Sequence, residues 1–250
     1  MNLEFCISEE LLFIVGLMQQ PNIDNWVGLQ DKLWKKYESG YRLLQGNYFE
    51  FFLNPKYKGK LDQAITDIEC ILSEGMNSTE FSKLLINAQE HKVWLERKWE
   101  QNKVLINEEL NNILRTDLPE ETVTVYVLSQ LLHVGRNIRG RILWGQYEHW
   151  PNYSLVYLVH EYLHSLFKYT KIEHAIIELI SDNEMRIRLN KEGKYFECAG
   201  EKVGHKHLLP VRKVILDDWK EYLGNRKTNI YQFIENLKQK YPQYYKEENE

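Results

Sequence analysis

His160-Glu161-Tyr162-Leu163-His164 is the stretch whose reading decides the rest of the chain. It lies inside a stretch that reads as helix. Two histidines four residues apart stand one turn apart on one helix face, so both imidazoles can reach one metal ion. A glutamate beside the first can reach a water molecule on that ion. These five residues therefore offer two ligands and a base. A helix face with two hydrogen-bonded histidines and a solvated glutamate is the plainer alternative, and the residues downstream of His164 decide between them.

A hydrolytic site of this kind needs a third protein donor from a second element. Residues 172–189 read as a further helix carrying Glu178, Ser181 and Asp182. If the chain turns tightly near Tyr169 to Lys171, positions equally far from the turn face one another, and Glu178 falls opposite His160 and His164. Asp182, one turn on, is expected to accept the imidazole N–H that the metal does not use. His174 and Glu173 are alternative donors, but this construction places them near the turn, beyond His164.

His-Glu-x-x-His followed by Glu178-Leu-Ile-Ser-Asp182 resembles the gluzincin clan of zinc metallopeptidases, the thermolysin-like group, over about thirty residues. The resemblance implies one Zn²⁺ per chain held by His160, His164 and Glu178, with Asp182 supporting a ligand histidine. It implies that Glu161 takes a proton from the attacking water and delivers it to the leaving amine. The thirteen residues between His164 and Glu178 are fewer than in the large secreted members, which suggests a pared-down hairpin. A metzincin site is excluded, because Phe167 and Thr170 stand where that pattern needs Gly and His. Gluzincins stabilise the oxyanion with a Tyr or His beyond the third ligand. Here His205, His207 and Tyr195 are available, and the two histidines rank first because their stretch is flanked by glycine.

Ahead of the motif, Thr122 to Leu128 is rich in β-branched residues and reads as a strand, and Arg141 to Gly145 as a second, reached through a loop from Gly135 to Gly140. The resemblance implies an antiparallel edge strand beside the active-site helix. Ile142, Leu143, Trp144 and Gly145 are the residues expected to bind an extended substrate through their backbone. Arg136, Arg139 and Arg141 are candidates for meeting a carboxylate group.

The remaining features bound the answer. The 250 residues carry a formal charge of −4, which gives no basic field for nucleic acid. Cys6, Cys70 and Cys198 are too few and too scattered for a disulfide framework or a thiolate zinc site. The N-terminus lacks a basic region before Leu11 to Met18, and no apolar run approaches spanning length, so neither a signal peptide nor a membrane partner is expected. The expectation is a cytoplasmic protein. Ser8 can cap a helix through residues 11–18; Trp26 to Tyr41 and Thr79 to Leu114 read as two more, and Val211 to Leu223 and Asn229 to Lys240 as the last two. The tail from Tyr241 is polar and expected to fray.

The expected fold is thus mainly α with a small antiparallel β-sheet (α+β), a zincin-like helical hairpin carrying the metal site. Residues 1–118 form a helical region and 119–250 the catalytic region, with both able to pack as one body. The expected function is that of a zinc metallopeptidase acting on a peptide or protein substrate. Two alternatives stand beside it: a non-catalytic binding or regulatory protein on the same scaffold, and a zinc hydrolase of a non-peptide amide or ester.

Overall fold

A computed structural model describes residues 1–53, 62–168, 170–198 and 200–245. Tyr169, in the expected turn, and the tail 246–250 lie outside them.

The chain opens with strand β1 (Asn2–Cys6) and helix α1 (Glu9–Gln19). Ser8 caps α1 as its sequence predicts, its Oγ accepting the Leu11 amide at 3.3 Å. Every residue from Leu11 to Leu17 is buried, so α1 is a central helix and not a surface one. Around it pack α2 (Trp26–Lys36), α3 (Glu38–Leu53), α4 (Asp62–Met76) and the N-terminal third of α5 (Thr79–Leu114). The Trp26–Tyr41 segment is divided at Tyr37, which leaves the helical conformation between α2 and α3.

Helix α5 has 36 residues, a length of roughly 54 Å. Its Phe81, Leu84 and Ala88 enter the core around α1, while Leu95, Trp99, Ile106 and Leu110 enter a second core around the motif. Arg115, in the left-handed region at φ 53°, ends it, and its guanidinium donates to the carbonyls of Tyr222, Leu223, Asn225 and Thr228. One helix thereby joins both halves of the chain.

The sheet is mixed, and this corrects the antiparallel expectation. Its order is β1, β2 (Thr122–Val127), β4 (Arg141–Gly145), β3 (Val134–Ile138). Strand β1 runs parallel to β2, β2 runs parallel to β4, and β3 with β4 forms the one antiparallel pair. The reason lies in a two-residue turn. Arg139 (φ 51°) and Gly140 (φ 78°) close a tight hairpin, so most of the expected loop is strand β3. The hairpin fills one side of β4 and leaves the other to β2. Strand β4 is therefore interior, with Ile142, Leu143 and Trp144 at most 1% exposed, and the edge role expected of Ile142 to Gly145 falls to β3. Because β1 pairs with β2, the sheet also crosses residue 118.

Helix α6 (Tyr153–Leu163) carries the motif and packs on β3 and β4. After a turn, α7 (Lys171–Glu178), a π-helical segment (Leu179–Met185) and α8 (Arg186–Asn190) run on as one rod. A short hairpin of β5 (Glu197–Cys198) and β6 (Glu201–Lys202) leads to α9 (Leu209–Val214), α10 (Leu216–Gly224) and α11 (Ile230–Lys240). Among the described residues, no helix is long and apolar enough to cross a membrane.

Candidate metal centre

Residues from Leu155 to Leu163 are all buried except half-buried Tyr157, so the motif sits in the second core and not on a solvated face. His160 is 1% exposed. Its Nδ1 meets Ser181 Oγ at 3.2 Å, and that hydroxyl donates to the Ile177 carbonyl at 2.8 Å. With its only proton committed, Ser181 can act toward His160 only as an acceptor. Nδ1 therefore carries the imidazole proton, and the Nε2 lone pair is left for a ligand. Asp182 Oδ2, 3.9 Å from the same Nδ1, reinforces this tautomer electrostatically. The imidazole N–H expected to go to Asp182 thus meets Ser181 instead, and Asp182 stands too far away for a hydrogen bond. The π-helical turn carrying both is held partly by Asn183 Nδ2 donating to the Glu178 carbonyl at 3.0 Å.

His160 Nε2 faces His164 Nε2 at 3.1 Å. Two nitrogens on a tetrahedral zinc ion stand roughly 3.3 Å apart, so the pair fits such an ion. Burial, with the neighbouring imidazoles, pushes the pKa of His164 down to about 3 and that of His160 well below its ordinary value, which favours the neutral rings. Neutral imidazole is the ligating form.

The third donor of this group is His174. Ligand atoms of His160, His164 and His174 lie within 4.8 Å of one another, and those of His174, Glu178 and His205 form an adjoining group. Glu178 therefore groups with His174 and His205, not with both motif histidines. Helix α6 stops at Leu163 and α7 starts at Lys171, so the turn is centred near Phe167, earlier than expected. An earlier turn moves the position facing the motif upstream, and His174 is the residue whose ligand atom comes near both motif histidines there.

Glu161 is 8% exposed, and burial raises its carboxyl pKa to about 7. Its backbone carbonyl accepts from Asn137 Nδ2 at 2.8 Å, which ties the motif helix to edge strand β3. Tyr157 lies over His160, ring centroids 5.6 Å apart, and packs in turn on Trp144. Interior β4 thereby supports the site from behind.

His205 and His207 both reach the cluster. The His205 ring is 4.8 Å from His174 and 5.8 Å from His160, while exposed His207 stands 5.6 Å from His205 and 6.3 Å from His174. The Tyr195 hydroxyl bonds Glu184. Glu178, fully buried, accepts from the backbone N–H of His205 at 2.6 Å and contacts its Nδ1 at 2.5 Å. Its other oxygen is 2.8 Å from Nε of Arg212, itself 1% exposed. Nothing in the sequence marks Arg212 or Asn137 for the site, because such a residue in an amphipathic or turn-rich stretch carries no local sign of a distant partner. No family model, curated protein or solved structure matches this chain.

Proposed function

We propose that the protein is a zinc-dependent metallopeptidase, with one ion held by His160, His164 and His174. The observation that carries this reading is the pair of neutral Nε2 atoms 3.1 Å apart, one of them with its tautomer set by Ser181. A Zn²⁺ ion there supplies Lewis acidity and makes water acidic near neutral pH. Glu161, adjoining the first ligand, takes the proton from the attacking water on its carboxylate and passes it to the leaving nitrogen. Strand β3 lies at the sheet edge beside α6 and offers its backbone to an extended chain, with Asn137 fixing its position on Glu161. In this reading His205, whose pKa the hydrogen bond to Glu178 raises, serves as the imidazolium that donates to the carbonyl oxygen as negative charge develops.

Elemental analysis of the purified protein and of His160→Ala tests the ligand set. About one zinc per chain, lost in the variant, is expected. Peptide-library hydrolysis by the zinc-loaded protein, abolished in Glu161→Gln with zinc retained, is the expected companion result. Cleavage undiminished in zinc-loaded Glu161→Gln would remove Glu161 as the base, and a zinc-free wild type that takes up none would remove the metallopeptidase reading.

A further inference from the structure

Glu178 is held at both ends of its carboxylate. One oxygen receives the His205 backbone N–H at 2.6 Å and the His205 ring at Nδ1, and the other meets the Arg212 guanidinium at 2.8 Å. Arg212 is fixed in turn, with Nη2 donating to the Val203 carbonyl at 3.0 Å and its guanidinium over the Phe196 ring at 5.4 Å. Gly204 lets the 203–205 backbone close over the pair. It adopts φ +74°, and a Cβ there would stand 2.6 Å from Arg212 Nη1 and 2.8 Å from Glu178 Oε2. Both partners are almost fully buried, so the ion pair is dry.

We propose that Glu178 is not a metal ligand but the carboxylate that positions His205 over the metal centre, and that Arg212 holds it in this role. This rests on the metallopeptidase reading above and refines its ligand set. A carboxylate already paired with a buried guanidinium, one of its oxygens bonded by two N–H groups, is a weaker ligand for a cation than a free one. Its bond to Nδ1 fixes that nitrogen as the donor and holds a ring that stands 5.8 Å from His160 and 4.8 Å from His174. The centre would then be held by imidazole nitrogens alone, with no ligand carboxylate to offset the charge of a bound cation. Glu178 and Arg212 are positioning residues, and His205 is the group that touches the reacting atoms.

Zinc affinity by chelator competition and the visible spectrum of Co²⁺-loaded protein test this without reference to turnover. Glu178→Gln preserves the shape of the site, and its zinc Kd is expected to stay within about 10-fold of wild type, with a cobalt spectrum that keeps its form. His174→Ala is expected to release zinc as His160→Ala does. In turnover, Glu178→Gln and His205→Ala should each lower kcat by roughly 10- to 100-fold with KM little changed, and the double variant should fall no further than the worse single one. Loss of zinc from Glu178→Gln to the extent seen in His160→Ala, or fully additive kcat effects, would overturn the proposal while leaving the metallopeptidase reading intact. A wild type that binds no zinc would remove both.

Discussion

The two cores of this molecule are buried to the same depth but filled differently. Around α1 the interior is almost wholly apolar, built from Leu12, Phe13, Ile14, Val15, Trp26, Phe81 and Leu84, with Gln30 and His91 as polar members that bond to backbone carbonyls. Around α6 and α7, comparable burial includes His160, Glu161, Glu173, Glu178, Asp182, Arg186 and Arg212. Burying charge costs free energy unless every group is paired, so a fold gains nothing from this second kind of core on stability grounds alone. The first core holds the second in place through α5. The second is where chemistry is possible, because low dielectric strengthens each interaction within it.

The comparison is broken most sharply at Arg212. In protein kept free of metal by chelator, Arg212→Met leaves Glu178 buried without its cation, and a loss of about 3–5 kcal/mol is expected in urea unfolding. Arg212→Met combined with Glu178→Met should recover most of that loss. If the double variant is as unstable as the single one, the motif core depends on this ion pair for packing, and the contrast between the cores fails.

In the apolar core, no partner change can compensate. Gly75 faces the Phe13 ring so closely that an added Cβ would be driven into it, and Gly75→Ala is expected to cost about 1–3 kcal/mol through overpacking. The measured quantity is the same urea midpoint. A neutral or stabilising result would show that the α1 core is looser than its contacts imply.

The smallest effect concerns pH. Burial lowers the pKa of His91 below 6.5, its contact with the Leu128 carbonyl at 2.9 Å and the charge of Glu148 opposing this. The stability this residue contributes is fully present above pH 6.5 and is lost as pH falls below that value, because the unfolded chain binds the proton more readily. His91→Gln should therefore lose less stability than wild type between pH 7 and 5.5. Parallel acid limbs for the two proteins would show that His91 is not held neutral in the fold.

Much of the local structure is legible in the letters. The helix from Thr79 to Leu114 has the expected ends, and Ser8 caps where its position predicts. Asn229 reads as the start of the last helix and closes a capping box with Gln232 ahead of Ile230. Strand β1 is not legible, because five residues of ordinary alternation gain their identity only from pairing with β2. The interior place of β4 is hidden for the same reason, since whether a strand is an edge depends on what lies on both its sides. Near the motif, a shift of a few residues in the turn centre exchanges Glu178 for His174. The extra residue in the π-helical turn brings Ser181 to the nitrogen expected to meet Asp182.

The sequence by itself determined the motif helix, the facing of His160 and His164, and the glutamate beside them. Those follow from a fixed helical repeat acting over one turn. Only the tertiary structure decided which donor completes the group, which carboxylate is claimed by a guanidinium 34 positions later, and which strand lies open beside the site. These depend on contacts between segments far apart in the chain, where no periodicity operates and packing alone sets the distance.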